Sequence, residues 1–202
     1  PAHSGTLYGL RPADGDILHR IPIGGRLSSA PVLVNNRMYL SVDVDKDRWD
    51  EGATGSIVAV DPVSARRLEG WKLSTHGLRA QPVHYEHALY VGDRQGTLYR
   101  LDLLRGRAEP LGALGIGRIL APVAVDVQRR QLIAGGSYGL AAVDANGQVR
   151  LVERLGGSGV AAPPLVLGDT IFAGAADGQL HTLDLPTHIN KHQAASRRII
   201  QG

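Results

Sequence analysis

Five times in its 202 residues the chain returns to one short phrase. Gly5-Thr6-Leu7-Tyr8-Gly9-Leu10 comes back as Gly55-Ser56-Ile57-Val58-Ala59-Val60-Asp61 and as Gly96-Thr97-Leu98-Tyr99-Arg100-Leu101-Asp102. It comes back twice more, as Gly139-Leu140-Ala141-Ala142-Val143-Asp144 and Gly178-Gln179-Leu180-His181-Thr182-Leu183-Asp184. The leading glycines step by 50, 41, 43 and 39 residues. A period near forty marks a chain built from stacked copies of one supersecondary unit. A second marker keeps the same step: Ala30-Pro31-Val32, Gln81-Pro82-Val83, Ala121-Pro122-Val123 and Pro163-Pro164-Leu165.

The unit is legible inside one period. Residues 82–85, 88–92 and 97–102 are short apolar or alternating runs separated by Glu86-His87 and by Asp93-Arg94-Gln95-Gly96, the pattern of strands and tight hairpins. A fourth run follows each terminal Asp, at 17–21, 67–73, 109–114 and 149–155. Four antiparallel strands per forty-odd residues is a propeller blade. No window sustains a 3.6-residue apolar period, so the chain reads as all-β, with 194–200 the one stretch left for a helical turn. The reading is a β-propeller of four-stranded antiparallel blades, about four to five in this chain. The repeats occupy 1–185, and 186–202, with Lys191, Arg197 and Arg198 and no acid, reads as a basic polar tail or linker, with a last outer strand and a partner-binding arm as the alternatives.

The phrase Gly-x-Leu-Tyr-x-Leu-Asp, a Gly turn, Ala-Pro-Val and Leu-Tyr-Val-Gly together resemble the PQQ-type propeller repeat. That repeat occurs in quinoprotein dehydrogenases, in the periplasmic propeller lipoprotein of the outer-membrane assembly machine, and in sensor domains of bacterial kinases. The resemblance spans residues 5–185. It implies a Trp that docks against the next blade, and Ala59, Asp61 and Trp71 stand nearest to that motif. Gly106 and Gly147 supply the repeat's turn glycine in later units, which have no Trp. The vicinal cysteine pair of the quinoproteins is absent, the chain having no cysteine.

If the phrase is strand three of each blade, the chain opens with strands three and four of one blade. It then passes through three complete blades and ends with three strands of another. It is either a four-bladed ring with a surplus strand or an arc of a larger ring. Unpaired edges invite pairing, so an arc implies blades elsewhere in a longer protein or a partner chain.

The chemistry of catalysis is not written here. No Ser-His-Asp set or complete acid pair can be assembled. Asp61, Asp102, Asp144 and Asp184 recur at strand ends, where a carboxylate caps turn amides. His84 and His87 lie three apart, on opposite faces of an extended strand, with His87 in a turn. The net charge of +3 is scattered singly without interleaved aromatics, which argues against a nucleic-acid surface. No apolar run is long enough for a membrane-spanning helix.

The first glycine step is about nine residues longer than the others, and the surplus lies within 43–54. Asp43, Asp45, Asp47 and Glu51 resemble the calcium loop of integrin-type propellers, because carboxylates at alternate positions can wrap a hard cation. Arg48 stands where that loop has its turn glycine. An acidic surface loop and a partner contact are the alternatives; in the contact, Trp49 is an aromatic anchor flanked by Arg48 and Asp50. Three functions stay open. The leading one is a non-catalytic interaction or scaffold module of a bacterial assembly, without cofactor, in the periplasm or cell envelope or else the cytoplasm. The others are a fragment of a PQQ-dependent dehydrogenase and a ligand-sensing domain of a receptor or kinase. The expected partner is another protein chain or further blades of the same one.

Overall fold

The computed structural model describes residues 5–43, 54–74, 76–155, 159, 160, 162–185 and 196–198. All regular structure among them is β. Sheet 1 is a single hairpin, β1 (Thr6–Leu10) and β2 (Ile17–Pro22). Sheet 2 comprises β3 (Arg26–Leu27), β4 (Val32–Val34), β5 (Arg37–Asp43), β6 (Gly55–Asp61) and β7 (Arg66–Ser74). Sheet 3 runs β8 (Val83–Tyr85), β9 (Ala88–Gly92), β10 (Thr97–Asp102) and β11 (Arg107–Ala113). Sheet 4 runs β12 (Ala124–Asp126), β13 (Gln131–Gly136), β14 (Gly139–Asp144) and β15 (Val149–Arg154). Sheet 5 runs β16 (Leu165–Leu167), β17 (Thr170–Gly174), β18 (Leu180–Asp184) and β19 (Ser196–Arg198). Every pairing is antiparallel and joins strands in chain order, apart from β3, which pairs with the far end of β5. These are the blades of a β-propeller.

Residues 196–198 form an outer strand, the alternative to a linker, and not a helical turn: Ser196 pairs with Leu183 and Arg198 with His181, making the fourth strand of the last sheet. A three-residue polar outer strand carries no apolar alternation, so no pattern announces it. The two-residue β3 is missed for the same reason. The repeats therefore run past 185.

Local chemistry explains the turns. Asn35 and Asn36 both take positive φ, 49° and 59°, as a two-residue hairpin turn between β4 and β5 requires. The phrase glycine has a different reason. A Cβ on Gly96, itself at φ 83°, would stand 2.5 Å from the Gly117 carbonyl oxygen. Gly5 meets Gly25 and Gly55 meets Leu78 in the same way, so at these three glycines the crossover into the following sheet passes too close for any side chain, whereas Gly139 is closed in by Glu153 of its own sheet and Gly178 has open space.

The core is four slabs, each between consecutive sheets. Leu7, Ile21 and Ile23 meet Leu40, Val42, Val58 and Val60 between sheets 1 and 2. Tyr39, Ile57 and Ala59 meet Leu89, Val91 and Leu101 between sheets 2 and 3. Tyr90 and Leu98 meet Leu132 and Val143 between sheets 3 and 4. Ile133, Leu140 and Ala142 meet Ile171, Ala173 and Leu183 between sheets 4 and 5. Along each strand alternate residues serve the slab ahead and the slab behind, the period-two geometry of a strand. Among the described residues no such slab joins sheet 5 to sheet 1.

Candidate functional site

The expected calcium loop joins the end of β5 to the start of β6, which lie at the end of the sheets where successive blades are stitched together. Each crossover segment there bonds both neighbours. Arg94 N–H donates to His76 O (3.3 Å), Ile119 N–H to Asp93 O (2.9 Å) and Ser137 N–H to Arg118 O (3.1 Å). Val160 N–H donates to Gly136 O (2.9 Å) and Ala176 N–H to Gly159 O (2.8 Å).

Asp43, the first residue of the proposed calcium set, is buried in this stitching. Its Oδ1 accepts from Leu78 N–H at 2.5 Å and its Oδ2 pairs with Arg79 Nε at 3.6 Å. Burial holds its pKa above the usual carboxylate range against the opposing pull of Leu78, Arg79 and Arg94. Asp43, the first residue of the expected calcium set, thus faces the next crossover through both carboxylate oxygens. Asp45, Asp47, Arg48, Trp49, Asp50 and Glu51 lie outside the described residues. Among the described residues no three His, Cys, Asp or Glu side chains gather as a metal set.

The joint between sheets 2 and 3 carries two functional-looking polar contacts that hold the blades together. Asp93 is fully buried. Its Oδ1 accepts from the N–H groups of Gln95 (2.8 Å) and Thr97 (2.9 Å). Its Oδ2 accepts from Ser74 Oγ (2.6 Å), on the last strand of sheet 2, and from Tyr99 OH (3.1 Å). Burial and the adjacent carboxylate raise the Tyr99 pKa. Trp71 donates its Nε1–H to Gly106 O at 2.9 Å, so it does dock on the turn of the next blade. Its ring also tilts against Tyr39, with centroids 6.3 Å apart. The sequence reading found Trp71 through the repeat. It missed Asp93 and Ser74, whose only sequence signal is the Asp that opens the 93–96 turn.

At the opposite end of the sheets the recurring aspartates cap turns. Asp61 accepts from the Ser64 hydroxyl and from the Val63 and Ser64 N–H groups. Asp102 Oδ1 accepts from Leu104 and Arg105 N–H, and Asp144 Oδ1 from Asn146 and Gln148 N–H. These bonds hold Asp61 and Asp102 below the usual carboxylate range. Asp184 differs: its carboxylate accepts from Thr170 Oγ1 at 3.3 Å. Arg129 clips sheet 4 to sheet 5 by bonding Asp126, Asp169 and Gly168 O. His84 is exposed on β8, and His87 sits in the turn, its carbonyl accepting from Leu103 N–H at 2.9 Å.

No protein-family model matches the chain, and no curated protein does. Among the described residues no helix is long and apolar enough to cross a membrane. The fold does have a counterpart among solved structures. The crystal structure of BamB from Moraxella catarrhalis superposes with a TM-score of 0.69 over 92% of this chain at 16% identity, and this chain spans 57% of that one. The likeness is one of fold, a β-propeller of four-stranded blades.

Proposed function

We propose that this chain is a non-catalytic β-propeller module that works by protein–protein contact within a larger bacterial assembly at the cell envelope. The observation that carries the reading is exposed apolar surface at both ends of the arc. Tyr8, Leu10, Ile17 and Leu18 lie open on sheet 1, and Leu165, Leu167 and Leu180 on sheet 5. Apolar side chains left open on a sheet are the kind of surface a partner covers. The resemblance of the repeat to the outer-membrane assembly propeller, and the fold likeness to BamB, support the same reading. No cofactor is assigned. Among the described residues the carboxylates of Asp43, Asp93 and Asp102 bond backbone amides of turns and crossovers, which supports that reading. The 43–54 loop, with Trp49 at its centre, is the second proposed contact surface, because binding residues concentrate in loops set on rigid scaffolds.

Deleting residues 46–52 tests this. The blades should fold with the wild-type β circular dichroism, and recovery of the partner from solubilised envelope fractions should fall. Undiminished recovery makes the loop an idle insertion. A calorimetric titration with pyrroloquinoline quinone plus calcium should give no saturable heat; stoichiometric quinone binding overturns the non-catalytic reading.

A further inference from the structure

Sheets 2, 3 and 4 are each packed on both faces, so nothing at their turns is left open by a missing neighbour. In every complete sheet the turn of the inner hairpin and the turn before the outer strand lie together, at the end opposite the crossovers. Among the described residues the five most exposed large apolar side chains all stand within two residues of such a turn. They are Val63, Leu104, Val127, Leu167 and Leu33, 64–85% exposed. Val63, Leu104 and Val127 form one array across sheets 2, 3 and 4. Trp71 of sheet 2 bonds Gly106 O in the turn that bears Leu104, and Arg130 joins the Val127 turn to Glu86 of sheet 3.

The turns themselves do not need apolar residues. Val63 N–H donates to Asp61 Oδ1 (2.8 Å) and Leu104 N–H to Asp102 Oδ1 (3.0 Å). In sheet 4 Asn146 fills the same place after Asp144 and makes the same bond at 3.0 Å. The cap fixes the backbone of the tip and leaves its side chain free to vary, so an aliphatic tip exposes apolar surface to water for no structural return. Charge is layered over the same turns. Arg66 and Arg107 are exposed, and no acidic side chain pairs with them among the described residues. Arg105 and Arg130 pair with Asp102 and Glu86 but stand further out, their side chains 77% exposed against 7% and 43%. Asp61 and Asp126 accept from amides of their own turns. The exposed acids of this end, Asp169 and Asp184, belong to sheet 5, so the aliphatic and cationic patch is confined to sheets 2–4.

We propose that the turn end of sheets 2–4 docks on the surface of an anionic lipid bilayer. Val63, Leu104 and Val127 enter the boundary between headgroups and acyl chains, and Arg66, Arg105, Arg107 and Arg130 sit at the level of the lipid phosphates. Convex tips on three separate sheets suit a deformable surface, whereas a protein partner would need a matching hollow for each. The aliphatic tips gain by leaving water, and each arginine gains by attraction to the anionic headgroups. The chain lies on the bilayer and does not span it. The inference goes beyond the protein-contact reading and does not rest on it, since the 43–54 loop joins strands at the opposite end.

The test is sedimentation of the purified chain with phosphatidylcholine vesicles made with and without phosphatidylglycerol. The chain should sediment with the phosphatidylglycerol vesicles and far less with phosphatidylcholine alone, and added salt should release it. The double variant Val63→Asn, Leu104→Asn follows the precedent of Asn146, so it should melt near the wild type. Its partition onto phosphatidylglycerol vesicles should fall roughly tenfold. Arg66→Gln and Arg107→Gln should each lower partition roughly fivefold. Leu120→Asn, an exposed change at the crossover end, should leave it unchanged. Because the chain has no cysteine, Leu104→Cys and Leu120→Cys each take a single environment-sensitive dye. Emission should shift to the blue on phosphatidylglycerol vesicles with the dye at 104 and stay put with it at 120. No sedimentation with those vesicles, or partition that the double variant keeps, overturns the proposal and leaves the tips to a protein partner. If the double variant melts well below the wild type, the dye at 104 decides alone.

Discussion

Sheets 3 and 4 and the two end sheets are written with the same repeat, yet they differ in what their faces meet. Counting back from the terminal Asp of each phrase, Leu98, Leu140 and Leu180 occupy one register position. The first two are 0% and 1% exposed, and Leu180 is 50% exposed. At the other end Leu10 is 54% exposed, where its equivalent Leu101 is 0% exposed. The central strands β9 and β13 are buried along their whole length, while β17 alternates buried with more open residues and β1 buries Leu7 alone. A propeller strand thus has two apolar faces because it has two neighbours. Where the neighbour is absent, the apolar residue remains without its burial. The terminal faces carry interior chemistry on an exterior surface.

The largest expected effect sharpens that contrast directly. Leu98→Ala empties a slab position and should destabilise the chain by about 2–5 kcal/mol. Leu180→Ala, the same change at the same register, should fall within roughly 0.5 kcal/mol, as exposed substitutions usually do. Urea unfolding of the two variants measures both. Equal losses would mean that sheet 5 has a covered outer face after all.

A smaller effect concerns the polar lock of an interior joint. Asp93→Asn keeps an acceptor for the Gln95 and Thr97 amides. It presents an NH2 group to Ser74 and Tyr99, so both hydroxyls must reorganise inside a buried site, at about 1–3 kcal/mol. The register equivalent in sheet 5 is Ala175, bonded through its backbone alone. Ala175→Ser should be close to neutral there. Thermal melts of both variants check the asymmetry, and a neutral Asp93→Asn would show that backbone stitching suffices at every joint.

Much of the strand order was legible because turn residues announce themselves: Asn35-Asn36, Gly96 and Gly147 each break an apolar run at the right step. The phrase glycines Gly5, Gly55 and Gly96, conspicuous in sequence, face a close crossover approach that only the fold displays. Joint chemistry was legible only where a repeat motif carried it, as with Trp71. Ser74 and Asp93 lie 19 residues apart in different units, and nothing in the periodicity pairs them. The same holds for Asp43, whose acidic neighbours suggested a cation loop while its carboxylate serves Leu78 and Arg79 in the next crossover. Outer strands such as 196–198 fail for a simpler reason: a solvent-facing strand needs backbone partners and no apolar pattern.

Trp71→Phe isolates one hydrogen bond between sheets 2 and 3. The ring stays against Tyr39 and the donor to Gly106 O is lost, so about 1 kcal/mol of stability should go. A loss several times larger would locate the contribution in the shape of the indole rather than in its N–H.

The smallest expected effect is one of pH, and it again separates interior from end. The amides of Leu104 and Arg105, with the Arg105 guanidinium, hold the Asp102 carboxyl below its ordinary 3.8. The folded state therefore binds this proton less readily than the unfolded chain does. Its stabilisation is present above pH 3.8 and is lost as the pH falls through the lower folded value. Asp43 works in the opposite sense: its raised pKa favours the protonated folded form, so it adds stability on acidification. The total melting curve mixes the two, and a difference curve separates them. Wild type minus Asp102→Asn should be positive at neutral pH and shrink towards zero below pH 3.8. A difference that stays the same at every pH would mean that the turn amides do not hold the Asp102 carboxyl down, and the contrast between interior and end would then rest on the apolar faces alone.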